Sequence, residues 1–174
     1  VHAMHPDCTF SVETKIDGLS MSLRYVKEAD GKLHLQLAET RGDGLIGEDV
    51  TANAIVVGDV LQVIDLPYDS LELRGEVYMS HEDFEKYNEE QERLEKKTAS
   101  NPRNLAAGTL RQLDTSITKK RGLKMFIFNV QDGPAEIMES HGMGMDILKA
   151  AGVPVVYHKI CKTKEEVISA IDEI

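Results

Sequence analysis

The sequence predicts an α+β fold of antiparallel sheets with flanking helices, and three observations carry that reading. Apolar and polar residues alternate with period two in several short segments, as half-buried strands require. Helical spacing is confined to separate capped segments and does not alternate regularly with the strands. A hydrophobic fraction of 41% with 29% charged residues, spread over 174 residues, suits one packed core.

The first strand is expected over Thr9 to Asp17, with Phe10, Val12, Thr14 and Ile16 on one face and Ser11, Glu13, Lys15 and Asp17 on the other. Leu19, Met21, Leu23 and Tyr25 then alternate with Ser20, Ser22 and Arg24, and Asp30-Gly31 marks a turn before Leu33, Leu35 and Leu37. That pair reads as a hairpin. Arg41-Gly42-Asp43-Gly44, with Gly47 close behind, is too glycine-rich for a strand interior and reads as a shaped loop. Another strand follows over Leu71 to Val77, its polar face carrying Glu72, Arg74 and Glu76. Ser80 and Asp83 are spaced as a capping pair, with Phe84, Tyr87 and Leu94 at helical intervals behind them. Leu123 to Val130 reads as a buried strand, Glu136 to Ala150 as a helix weakened by Gly142 and Gly144, and Val153 to Ile160 as a strand. Thr163 with Glu166 opens a last helix.

A formal net charge of −10 excludes a generic DNA-coating surface, because sequence-independent duplex affinity comes from cations that neutralise phosphates. One local basic stretch stands against that background: Lys96, Lys97, Arg103, Arg111, Lys119, Lys120, Arg121 and Lys124. It reads either as a solvated face or as a phosphate-facing one. No apolar run is long enough to span a membrane and no signal core is present, so a cytoplasmic location without membrane contact is expected. Cys8 and Cys161 have no zinc-type spacing, and no protein-bound metal site is expected.

The chemistry centres on Lys15-Ile16-Asp17-Gly18, a K-x-D-G motif where a strand meets a turn. A lysine on a semi-buried strand can be oriented for attack, whereas a fully hydrated one keeps its proton. The competing reading is a plain ion pair among Glu13, Lys15 and Asp17. Four further segments occur downstream in order. They are Thr40-Arg41-Gly42-Asp43-Gly44 with Gly47-Glu48-Asp49-Val50-Thr51-Ala52-Asn53, then Leu73-Arg74-Gly75-Glu76-Val77, then Asn101-Pro102-Arg103-Asn104-Leu105-Ala106-Ala107-Gly108-Thr109, running into Leu110-Arg111-Gln112-Leu113-Asp114. With the lysine motif they closely resemble the adenylation domain of bacterial NAD+-dependent DNA ligases, over nearly the whole chain.

The resemblance implies the nucleotidyltransferase fold shared by DNA ligases and mRNA capping enzymes, here a truncated adenylation domain over residues 1–174 that lacks the two later lysine motifs. It implies that Lys15 attacks the α-phosphorus of NAD+, expels nicotinamide mononucleotide and holds AMP, which passes to the 5′-phosphate of nicked duplex DNA in replication and repair. Glu13 resembles the residue that reads the adenine amine, and Asp17, Arg41 and Glu76 resemble those lining ribose and phosphate. Phe128 stands where the family carries an adenine-stacking aromatic, commonly tyrosine; read without the resemblance it is a core phenylalanine. Arg103 and Arg111 resemble phosphate- or DNA-contacting arginines, with structural ion pairing as the other reading. Asp114 reads as a turn or capping residue, and the histidines are given no role.

Mg2+ is the implied cofactor, and zinc belongs only to a domain outside these residues. The expected partners are NAD+, AMP or an adenine-site inhibitor and, in the full-length enzyme, nicked DNA, with the protein a monomer. Attack by the amine requires loss of its proton, which Glu13 and Asp17 oppose. The isolated chain is therefore expected to bind adenine compounds but to adenylate itself poorly. The alternative functions are another lysine nucleotidyltransferase using ATP or GTP, and a non-catalytic adenine-nucleotide- or DNA-binding module.

Overall fold

A computed structural model describes residues 7–40 and 47–174. Its main sheet has five antiparallel strands: β2 (Leu19–Lys27), β3 (Leu33–Thr40), β4 (Val63–Ile64), β5 (Ser70–Tyr78) and β6 (Lys124–Asp132), in the order β4-β3-β2-β5-β6. A separate two-stranded sheet pairs β1 (Phe10–Glu13) with β7 (His158–Cys161). The helices are α1 (Thr51–Ala54), α2 (His81–Arg93), α3 (Pro102–Leu110), α4 (Thr115–Lys120), α5 (Ala135–Met138), α6 (His141–Ala150) and α7 (Lys164–Asp172). This is the α+β class the alternation predicts, and the Leu19 to Leu37 hairpin is β2–β3.

Burial follows the period. On β5, Leu71, Leu73, Gly75 and Val77 are buried while Glu72, Arg74 and Glu76 are only partly covered. The buried side joins Met21, Leu23 and Tyr25 of β2 and Met125, Ile127 and Val130 of β6 in one core. Tyr25 lies wholly inside, its hydroxyl donating to the Leu61 carbonyl at 2.8 Å, and burial pushes that phenol well up.

Caps behave as the sequence indicates. The Ser80 hydroxyl accepts from the Asp83 N–H, Asp114 caps α4 through the Ser116 N–H, and Thr163 with Glu166 forms a reciprocal capping box. The Asn101 to Asp114 segment, given no secondary structure from periodicity, is a helix followed by a second cap. Asn101 accepts from the Asn104 N–H, and Pro102 occupies the first turn, where its missing N–H is harmless. A buried polar knot fixes that segment. Thr118 Oγ1 lies 2.6 Å from Asn53 Oδ1 and 2.9 Å from the Thr109 carbonyl, Asn53 Nδ2 donates to the Gln112 carbonyl, and Arg121 donates to Thr109 Oγ1.

Three elements differ from expectation. The first strand ends at Glu13, because its partner β7 is only four residues long; after the Thr14 N–H to Tyr157 carbonyl bond the chain leaves for β5. The region from Glu136 to Ala150 is two helices, broken between Met138 and His141 and not at its glycines. A Cβ at Gly144 would lie 2.5 Å from the Ile137 carbonyl and one at Gly142 2.8 Å from Ile160 Cδ1, so both glycines permit α6 to fold back on α5 and β7. Finally, Val153 to Ile160 changes sheets. Around Pro154 it bonds Ile127 of β6 from both sides, and only from His158 does it pair with β1. The glycine-rich loop read over Arg41 to Gly44 lies outside the described residues.

Candidate active site

A cleft of about 260 Å³ opens where the two sheets meet, lined by Glu13, Thr14, Lys15, Ile16, Glu76, Phe128 and Val156. Four of the residues singled out in the sequence therefore converge: Glu13 from the end of β1, Lys15 from the turn behind it, Glu76 from β5 and Phe128 from β6. Phe128 owes its place to a bulge. Arg74 pairs with Asn129 and Gly75 with Ile127, leaving Phe128 as the extra residue on β6. A bulge of this kind re-aims a side chain beside a site.

The K-x-D-G turn is held against β5. The Gly18 N–H donates to Glu76 Oε1 at 3.2 Å, and the Gly18 α-carbon sits so close to the Val77 carbonyl oxygen that any Cβ would collide with it. Glycine is thus required here by the close approach of two backbones.

The ion pair read as the competing role for Lys15 is not formed. Glu13 Oε1 takes the Ser11 hydroxyl at 2.6 Å and meets His141 Nε2 at 2.7 Å, while Asp17 Oδ1 pairs with Arg103 Nη1 at 3.4 Å. Both flanking carboxylates are turned elsewhere. Lys15 is exposed at the cleft and, among the described residues, makes no ion pair, although its charge acts on Glu76.

Burial holds the Glu76 carboxyl above its usual range, outweighing the Gly18 N–H and the charges of Lys15 and Arg103, which pull it down; Asp17 pushes it further up. A raised folded-state value gives a stability contribution that is present below the ordinary carboxylate range and lost as pH rises through the raised value. Lys15→Met removes one of the lowering charges, so the Glu76 midpoint should move higher still. Carbonyl ¹³C titration by NMR reads this directly, and an unchanged or lower midpoint contradicts the arrangement.

Arg103 reaches the site from the first turn of α3, through Asp17 and its field on Glu76. Arg111 does not. It lies at the other end of α3, about 12 Å along the axis, where its Nε pairs with Glu48 Oε2 at 2.5 Å. Both are surface pairs, with the Arg103 side chain 63% exposed, so either guanidinium can exchange its carboxylate for a phosphate at little cost. Arg41 lies outside the described residues. His141, passed over in the sequence, is brought to Glu13 across 128 positions, a distance over which no local pattern could have found it. Among the described residues no three His, Cys, Asp or Glu side chains converge on a point that could hold a metal. Nor is any described helix long and apolar enough to cross a membrane.

A family model described as the NAD-dependent DNA ligase adenylation domain matches residues 2–174. A DNA ligase of Clostridium kluyveri is 46% identical over 166 residues, covering 95% of this chain and 24% of that protein. One from Jannaschia is 45% identical over 164 residues, covering 94% of this chain and 21% of its own length. Another, from Lactobacillus helveticus, is 51% identical over 137 residues, which is 79% of this chain and 20% of that protein. The chain therefore spans about a quarter or less of the curated relatives it matches. With the family model covering residues 2–174 and the lysine motif seated in a cleft between two antiparallel sheets, the chain belongs to the NAD-dependent DNA ligase adenylation domain family.

Proposed function

We propose that this chain carries the nucleotide-binding and lysine-adenylation step of NAD+-dependent DNA ligation. The observation that supports it most is the isolation of Lys15: the motif's own carboxylates, Glu13 and Asp17, are engaged by Ser11, His141 and Arg103, leaving the amine at the cleft without an ion pair among the described residues. In the proposed step Lys15 Nζ, having lost a proton, attacks the α-phosphorus of NAD+. A P–N bond forms, the P–O bond to nicotinamide mononucleotide breaks, and that group leaves with the electron pair. Phe128 stacks on adenine, Glu13 accepts from the exocyclic amine, and Asp17, Arg41 and Glu76 line ribose and phosphate. Arg103 and Arg111 grip phosphates of the adenylate or of nicked DNA, for which a planar guanidinium is suited. Mg2+, when bound with the nucleotide, would offset phosphate charge.

We assign AMP transfer to the 5′-phosphate of nicked DNA, and sealing, to the full-length enzyme, a cytoplasmic monomer. The isolated chain binds adenine nucleotides but adenylates itself poorly, since it contains one lysine motif where the family chemistry uses three. Intact-mass measurement tests this. The full-length enzyme should gain one AMP from NAD+ with Mg2+ and none from ATP or GTP, while the 174-residue chain gains little. Labelling by ATP or GTP would favour a different lysine nucleotidyltransferase, and no labelling of the full-length enzyme would favour a non-catalytic binding module.

The stacking role of Phe128 has its own expected result. Stacking of a base on an aromatic ring is worth about 1–3 kcal/mol, so Phe128→Leu should weaken AMP binding roughly five- to 150-fold by calorimetry, while Phe128→Tyr should retain it. Equal AMP affinity in the leucine variant would leave Phe128 as a packing residue only.

A further inference from the structure

We infer that His141 is a positioning residue that fixes the Glu13 carboxylate for discrimination between adenine and other purines. The inference rests on the proposed reading of the cleft as an adenine site and extends it to a residue that does not line the cleft. Glu13 stands at the end of β1, and two donors converge on one of its oxygens: Ser11 Oγ at 2.6 Å and His141 Nε2 at 2.7 Å from Oε1. An ionised carboxylate offers only acceptors, so the imidazole nitrogen facing it carries the hydrogen. Oε2 has no hydrogen-bond partner among the described residues, and the Glu13 side chain borders the cleft. Pinning one oxygen from outside thus sets which oxygen is presented inside.

The placement of His141 is built into the packing of α6. His141 is the first residue of that helix, and the next, Gly142, lies against Ile160 of β7 so closely that a Cβ would sit 2.8 Å from Ile160 Cδ1. Ile160 is paired with Ser11 in the β1–β7 ladder, two residues from Glu13. The helix start, β7 and β1 therefore form one stack, and the imidazole spans it to the carboxylate. Lys15, two residues beyond Glu13, lines the same cleft, so its charge attracts a carboxylate that is free to swing. Tying Glu13 to His141 keeps it available to a base and away from the nucleophile.

The chemistry of discrimination follows from donor and acceptor patterns. Adenine presents an N–H donor at position 6 and hypoxanthine a carbonyl acceptor there. A carboxylate oxygen held in place accepts from the first and repels the second, whereas one that rotates loses both effects. A group that binds a substrate donor rejects the analogue lacking it far better than it rejects a change in size.

The test is calorimetric titration of AMP and IMP against the wild-type chain, His141→Ala and His141→Gln, with thermal melts alongside. The wild type should prefer AMP, and His141→Ala should lose about tenfold of the AMP-over-IMP ratio, the worth of one hydrogen bond to a charged group. Most of that loss should fall on AMP, with the melting temperature nearly unchanged, since the side chain is 39% exposed. His141→Gln keeps a nitrogen donor at similar reach and should restore the ratio. A merely structural role would weaken both nucleotides alike and leave the ratio in place. If the wild type discriminates and His141→Ala discriminates equally well, the inference is overturned and the adenine reading of the cleft stands. If the wild type binds AMP and IMP equally, or binds neither, the adenine reading itself fails and takes the inference with it.

Discussion

Gly18→Ala is expected to lower the melting temperature by roughly 2–12 °C and to cut adenylation by the full-length enzyme about 100-fold. The added Cβ meets the Val77 carbonyl oxygen, a backbone atom at the end of the β2–β5 ladder, where Leu19 pairs with Val77. No rotamer can relieve such a clash. Either β5 shifts, disturbing Leu73 and Val77 in the core, or the Lys15 turn lifts away and loses its 3.2 Å bond to Glu76. Overpacking of this kind costs about 1–3 kcal/mol and sometimes more, and each kcal/mol moves the midpoint by roughly 2–4 °C in a domain of this size. The larger catalytic loss follows because a displacement near 1 Å of a reacting group can cost about 10² in rate. Gly108→Ala serves as the opposite case. Nothing lies within 4 Å of a Cβ there, it sits within α3, and alanine should be neutral or stabilise by up to about 1 kcal/mol. Calorimetric melting of the two variants checks both signs; equal melting temperatures would remove the account of the turn.

Lys15→Ala is expected to abolish AMP transfer from NAD+ in the full-length enzyme while leaving the chain folded and able to bind AMP. The side chain is exposed and makes no ion pair among the described residues, so its removal should change the melting temperature little. Surface substitutions away from packed or paired groups usually fall within about 0.5 kcal/mol. Lys15→Arg should be equally inactive, because a guanidinium cannot give up its proton to attack phosphorus. Binding and chemistry thus separate at this residue. A Lys15→Ala enzyme that melts normally yet still gains AMP would assign the nucleophile elsewhere.

The strands were legible because each carries its own period. Leu71 to Val77 and the hairpin around Asp30-Gly31 could be placed from alternation alone, and the caps at Ser80, Asp114 and Thr163 from side chains that reach only two or three residues. What depends on a distant partner was not. The first strand stops at Glu13 because β7, over 140 residues later, is short, and β7 is short because the chain at Pro154 first pairs with β6. The glycines in α6 read as helix weakeners, yet their role is set by Ile137 and Ile160 lying against them. In the cleft, Glu13, Lys15, Glu76 and Phe128 were legible through family resemblance, whereas the bulge that aims Phe128 and the imidazole beside Glu13 are tertiary facts. The same holds for the two arginines: their shared motif suggested one role, and the length of α3 separates them, one beside Asp17 and the other beside Glu48.

The most direct test is to locate the AMP. The full-length protein that carries this chain should be incubated with NAD+ and Mg2+, digested, and its peptides sequenced by tandem mass spectrometry. The account predicts a single AMP on Lys15, in the peptide that runs through Ile16-Asp17-Gly18. AMP on any other lysine, with Lys15 unmodified, would contradict it.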